Sequence, residues 1–294
     1  MSPSRRFQLP TERLADRRID LEACYRYTLS RRTPSGGFSF YRHPEWGVEE
    51  PNAPDTCAAV EIMAALGQAM PDARGCIAWL QAQQGNSGDF ETWTIGHAVL
   101  KALRHLGGEP ERDPNAFLLE CAERLRVSAA KAKDQPGWLL QAARCAELFR
   151  ILELEIPTAL GETIPGALAS LQHADGGYGA AGSGLPESAL ALALSLEIDV
   201  PVPGELLSFA RRCEGPPHGF NIAPLSGSSA LETQLAGLQI LQHFGKRPGR
   251  PAEIESYVAS CQMATGGFGR APGAVERLDD TLRALQILAL LGDS

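Results

Sequence analysis

Apolar and polar positions along this chain alternate between two kinds of helix. Near the C-terminus, Ile254, Tyr257, Val258 and Cys261 fall at i, i+3, i+4 and i+7, which predicts an amphipathic helix with one stripe turned to a core. A turn follows at Gly266-Gly267-Phe268, and Pro272-Gly273 marks a second reversal. A different helix comes next: from Leu282 to Leu291 only Arg283 and Gln286 are polar, which predicts burial on all sides. Asp280 or Thr281 can cap its start.

The same unit of outer helix, glycine-aromatic loop and inner helix recurs at intervals of roughly 40 to 50 residues, a period that signals a repeat architecture. In the first copy Leu21, Cys24, Tyr25 and Leu29 stripe the outer helix, Gly36-Gly37-Phe38 forms the loop, and Asp55-Thr56 opens an inner helix ending at Gly67. The second has Gly88-Asp89-Phe90 before an inner helix reaching Gly107. The third is the most worn, with Gly137-Trp138 where the loop is expected. The fourth restores the pattern with Ile164, Ala167, Leu168 and Leu171, then Asp175 to Gly179, then Glu187-Ser188. The fifth runs through Leu206, Phe209, Ala210 and Cys213 to His218-Gly219-Phe220 and Glu232-Thr233. Short loops force antiparallel neighbours, so the expectation is an all-α fold of six helical hairpins. Inner helices apolar all round favour an inner ring wrapped by an outer one, with the first and last repeats touching, over an open solenoid.

Composition narrows the function classes. With 294 residues, 44% of them hydrophobic, and no linker-like stretch, the reading is an N-terminal arm over 1–18 and one domain over 19–294. A net charge of -8 argues against a nucleic-acid partner, and the five arginines between Met1 and Arg18 read as a solvated arm. The absence of an apolar run of membrane-spanning length or a signal-peptide core predicts a soluble, cytoplasmic protein. Seven cysteines without a CxxC fit reduced thiols packed as small hydrophobes.

The phrase Q-x-x-x-G-G-[FY]-G, at Gln172 to Gly179 and Gln262 to Gly269, followed by an acidic-Thr/Ser helix start, resembles the prenyltransferase and squalene-cyclase repeat. The resemblance implies an α/α toroid whose bore holds an isoprenoid chain, and it implies two chemistries. In the first, the expected one, that of protein prenyltransferase β-subunits, zinc held by an Asp-x-Cys and a His activates a thiol against a prenyl diphosphate. Asp55-Thr56-Cys57 matches the Asp-x-Cys and Asp280 stands at the position of the His, so the implied metal ligands are Asp55, Cys57 and Asp280, with His97 as an alternative. Arg42, His43, Arg270 and Arg277 are candidates for the diphosphate, and an α-subunit-like protein is a possible partner. The second chemistry is proton-initiated cyclisation, as in class II terpene cyclases. There Arg277-Leu278-Asp279-Asp280-Thr281 matches the acid motif except at its first position, and Asp279 falls on the acid. A non-catalytic binding toroid is the third reading. In all three, Phe38, Tyr41, Trp46, Trp93, Tyr178, Phe220 and Phe268 are candidates to line the isoprenoid pocket, with Phe40 and Phe90 beside them.

Overall fold

The computed structural model describes residues 19–43, 45 and 47–292. The arm over 1–18 and Trp46 lie outside the described residues, as do the side chains of Arg42 and His43. The chain is mostly helical, and six hairpins succeed one another among the described residues. They are α1 (Leu21–Ser30) with α2 (Ala53–Ala65), α3 (Ala73–Gln81) with α4 (Trp93–Leu106), α5 (Asn115–Ser128) with α6 (Trp138–Ile151), α7 (Thr158–Leu171) with α8 (Leu185–Glu197), α9 (Glu205–Cys213) with α10 (Leu231–His243), and α11 (Pro251–Ser260) with α12 (Leu278–Gly292). Two-residue antiparallel ladders decorate three of the loops: β1 (Arg42–His43) with β2 (Val48–Glu49), β3 (Glu214–Gly215) with β4 (Gly219–Phe220), and β5 (Phe268–Gly269) with β6 (Glu276–Arg277). No helix among the described residues is long and apolar enough to cross a membrane.

The contacts group into two compact units, one formed by the chain up to Arg112 together with the chain from Ala252, the other by Asp113–Pro251. In the first, α2 packs between α4 and α12, so the last repeat touches the first. In the second, α8 packs between α6 and α10. The first helix of each hairpin buries a single stripe. In α1 that stripe runs through Ala23, Cys24, Tyr27 and Thr28, with Leu21, Tyr25 and Leu29 only flanking it. All seven cysteines are buried and unbridged. Burial pushes the thiols of Cys24, Cys145, Cys213 and Cys261 up to about 12, as befits packing residues.

The glycine pair in the loops docks each one onto the outer helix of the following repeat. The first glycine has positive φ, 103° at Gly36, 85° at Gly176 and 96° at Gly266. A β-carbon there would strike backbone, 2.6 Å from the Gly75 carbonyl oxygen at Gly36, 2.5 Å from that of Glu205 at Gly176, and against that of Ala23 at Gly266. The second glycine leaves room for a ring: Trp79 lies against Gly37, Phe209 against Gly177 and Tyr27 against Gly267. The glutamine of the repeat completes the dock. Gln262 accepts from the Asp20 amide and donates to the Asp20 carbonyl, both at 2.9 Å, and Gln84 does the same with Arg112 at 2.9 and 3.0 Å. The sixth repeat thus meets the first through the same contacts that join neighbours within the chain.

The acidic-Thr/Ser pair does not cap the inner helices as the sequence suggested. The helices start earlier, at Ala53, Leu185, Leu231 and Leu278, so Asp280 and Thr281 lie inside the first turn, and Asn52 is the cap of α2. The hydroxyl is used otherwise. Thr56 Oγ1 accepts the Phe38 amide at 2.9 Å, Ser188 Oγ the Tyr178 amide at 2.9 Å, and Thr281 Oγ1 the Phe268 amide at 3.0 Å, while Gln234 Oε1 substitutes in the fifth repeat at 3.0 Å. Each bond satisfies a buried loop N–H that has no helical partner. In the third repeat the loop is replaced by a 3-10 turn over Ala129–Asp134, and Gly137 with φ of 90° leads directly into α6.

Candidate functional site

The first unit contains two clusters of ionisable side chains, one at the N-terminal ends of α2 and α12, the other between the far end of α2 and α4. At the first, Asp55 is 5% exposed and its carboxylate accepts from the Phe40 amide at 2.9 Å and from Asn52 Nδ2 at 2.6 Å. Asn52 in turn caps α2 by accepting the Asp55 amide at 2.8 Å, which locks the carboxylate's position. Asp280, 2% exposed, accepts from Arg283 Nη1 at 2.6 Å. The same nitrogen donates to Asp279 Oδ2 at 3.0 Å, and Arg277 Nε lies 3.3 Å from Asp279 Oδ1. That last contact is an ion pair without hydrogen-bond geometry, so the buried Oδ1 has no hydrogen-bond donor.

The electrostatics of this cluster follow from a count. Asp55, Asp279 and Asp280 face the guanidiniums of Arg277 and Arg283, while the nearby Arg31 is paired with Glu276 at 3.3 Å. One carboxyl is in excess. Burial raises the Asp280 carboxyl above its usual range, and the Asp279 charge adds to the rise against the opposing Arg283. Burial likewise raises Asp55 despite its two hydrogen-bond donors, with Asp279 again contributing. Over the cluster stand the exposed rings of Phe40 and Tyr41, and Arg277 lies 5.4 Å from the Phe40 centroid.

The second cluster escaped the sequence reading, which took the inner helices as apolar all round. Glu61 on α2 and Lys101 on α4 sit at the same step of their helices, counted from the caps Asn52 and Thr92, and Lys101 Nζ is 3.0 Å from Glu61 Oε1. His105 Nε2 lies 3.6 Å from the same oxygen, and Cys57 Sγ donates to Glu61 Oε2 at 3.7 Å. Burial pushes the Glu61 carboxyl up, but His105 and Lys101 together outweigh it and hold it below the usual range. The available signal was Glu61 itself, a single carboxylate within CAAVEIMAALG that had to find a cation on a neighbouring helix. Beside it opens a pocket of about 320 Å³, lined on α2 by Val60, Glu61, Met63 and Ala64, on α4 by His105, and on α12 by Leu282 and Gln286.

Each of the implied metal ligands is engaged by another group. Asp55 is held by Phe40 and Asn52, Asp280 by Arg283, and Cys57 points to Glu61; among the described residues no group of three or more His, Cys, Asp or Glu is placed to share an ion. Asp55, Cys57 and Asp280 thus each have a protein partner in this arrangement, and no chemistry is routed through a zinc ion. His97 is buried on α4.

Of the expected pocket aromatics, Phe38, Phe220 and Phe268 are 0% exposed and Tyr178 is 5% exposed, each with its amide held inside its own hairpin. Phe220 packs its ring onto Gly237 of α10, where a β-carbon would come within 2.5 Å. Tyr41 is exposed, Trp93 is partly exposed and Arg270 is exposed. Arg42 contributes its backbone to β1 opposite Glu49. The geometry thus unites Asp55, Asp279 and Asp280 with Phe40, and buries Phe38, Tyr178, Phe220 and Phe268 within their hairpins.

No curated protein sequence matches the chain. The sequence profile of the prenyltransferase alpha-alpha toroid domain matches residues 10–105 and 208–294, which include the first two hairpins and the last. The regions matched carry the Gly-Gly loops at Gly36 and Gly266, the dock between the last and first repeats, and both ionisable clusters. On these grounds the chain belongs to the prenyltransferase α/α toroid family, within the superfamily of the squalene-cyclase repeat.

Proposed function

We propose that this protein binds an isoprenoid chain and cyclises it by protonation, with Asp279 as the acid, in the manner of a class II terpene cyclase. The carrying observation is the surplus carboxyl: three aspartates against two guanidiniums, two of them buried and both raised in pKa. Such a cluster retains a proton at a pH where isolated carboxylates have lost theirs. Asp279 is the least buried member, its side chain about a third exposed. Leu282 and Gln286, which line the pocket, follow it by three and seven residues on α12 and so share its face.

In the reaction a proton held by the Asp55 and Asp280 carboxyls is relayed by Asp279 to an alkene carbon, making a C–H bond and leaving the cation on the adjacent carbon. A second double bond attacks it to close a ring, and loss of a proton from the final cation restores neutrality, so the process is an isomerisation. Asp55 and Asp280 act as the proton reserve that returns Asp279 to its acid form. Arg277 and Arg283 fix the orientation of its carboxyl.

The test is incubation of the full chain with prenols and prenyl diphosphates of several lengths in deuterated water. A cyclised product carrying one solvent deuterium is expected, with Asp279→Asn lowering turnover by about a hundredfold or more while leaving substrate affinity nearly unchanged. No cyclised product at any chain length, or an Asp279→Asn variant as fast as the parent, overturns the proposal. A thioether formed with an added thiol peptide, dependent on zinc, would put prenyl transfer in its place.

A further inference from the structure

The pocket beside Glu61 differs in chemistry from a purely hydrocarbon cavity. We propose that it recognises a neutral hydroxyl headgroup, so that the ligand is a small amphipathic alcohol seated with its polar end between Gln286, Glu61 and His105. For the prenol form of that ligand the proposal rests on the isoprenoid reading above.

Charge balance carries the first step. Glu61 is ionised, because Lys101 at 3.0 Å and His105 at 3.6 Å hold its carboxyl below the usual range, and its charge is matched by Lys101. A diphosphate entering here would meet a carboxylate with only one lysine between them. A cation would find that carboxylate already engaged. Glu61 on α2 and His105 on α4 line the pocket with Gln286 on α12, while Lys101, outside the lining, neutralises Glu61, and together these groups favour an uncharged guest.

Hydrogen-bonding capacity carries the second step. The Gln286 carboxamide is half-buried on the pocket wall and makes no hydrogen bond with any described residue, so it keeps both a donor and an acceptor to offer. A hydroxyl, donor and acceptor in one atom, complements it. The rest of the wall adds the apolar Val60, Met63, Ala64 and Leu282 and the polar Gln68, and 320 Å³ is at the small end of ligand pockets, which run from about 300 to 1,000 Å³. With the hydroxyl at Gln286, the hydrocarbon tail lies against Val60, Met63, Ala64 and Leu282.

Titration of the full chain with farnesol, farnesyl diphosphate, the saturated hydrocarbon farnesane and the non-isoprenoid 1-dodecanol tests the assignment, read by calorimetry. Farnesol is expected to bind more tightly than either farnesyl diphosphate or farnesane, and Gln286→Leu, a near-isosteric change, is expected to weaken farnesol about three- to tenfold while leaving farnesane unchanged. Equal or tighter binding of the diphosphate, or a Gln286→Leu variant that binds farnesol as the parent does, overturns the proposal. If 1-dodecanol binds with the same Gln286 dependence while no prenyl compound does, the headgroup site stands and the isoprenoid reading falls. If none of the four probes binds, the headgroup site itself is refuted. Circular dichroism of the variant keeps a folding defect from being mistaken for a lost contact.

Discussion

The two ionisable clusters of the first unit both bury carboxyls and shift them in opposite directions. At the helix N-termini Asp55 and Asp280 are raised, whereas Glu61 is lowered, although burial pushes all three upward. The difference is stoichiometric. Three aspartates compete for Arg277 and Arg283, while Glu61 alone receives Lys101, His105 and the Cys57 thiol. Burial sets how strongly a charge is felt, and the number of opposing partners sets which protonation state wins. One cluster is thereby suited to keeping a proton and the other to keeping a fixed charge.

The largest break in this comparison comes from removing the guanidinium that two carboxyls share. Arg283→Met leaves Asp280 buried without its partner; because Arg283 itself is about a third exposed, the expected loss is about 2 to 4 kcal/mol, below the full range for a buried pair. Denaturant unfolding at neutral pH measures it, and a loss no larger than that of a surface substitution would mean that Asp280 is already protonated there.

A second effect separates the clusters by pH. Glu61, lowered in the folded state, contributes stability that is present above its usual value of 4.5 and is lost as pH falls through its folded value. Asp280, raised in the folded state, contributes stability that is present below 3.8 and is lost as pH rises through its folded value. The advantage of the parent over Glu61→Gln should therefore shrink on acidification, and its advantage over Asp280→Asn should shrink as pH increases, neither by more than about 1.4 kcal/mol per pH unit. Melting temperatures across pH 3 to 8, taken as about the accessible range, check both slopes, and parallel slopes would erase the distinction.

The smallest effect sharpens the upper cluster. Asn52→Ala removes both the cap of α2 and one donor to Asp55, which should cost about 1 kcal/mol and raise the Asp55 carboxyl further. Carbon-detected NMR titration of Asp55 reads the second change, and a carboxyl that titrates as in the parent would show that the Phe40 amide alone sets its state.

Much of the architecture was legible because repetition exposes it. The Gly-Gly pairs at Gly36, Gly176 and Gly266 announce themselves by spacing, and their backbone role requires no partner to be known in advance. The hydroxyl at Thr56, Ser188 and Thr281 was visible as a recurrence but misread as a cap. Its true partner, a loop amide 10 to 18 residues back, is defined only once the hairpin folds. The loop aromatics were also visible, yet the direction of a ring is set by the neighbouring repeat, and most turned inward. Asp279 and Asp280 were found through a linear motif. Glu61, Lys101 and His105 form no motif, since their proximity depends on how α2 is set beside α4.

The bond pair between Asp20 and Gln262 spans 242 residues. A ribosome-bound chain that has released α1 to α4 has α2 with only α4 to cover it, and the face meant for α12 stays wet until α12 has been made. Such long-range closure is slow and leaves apolar surface open in the meantime. The nascent protein therefore asks for shelter during translation, and its vulnerability to misassociation is greatest around α2.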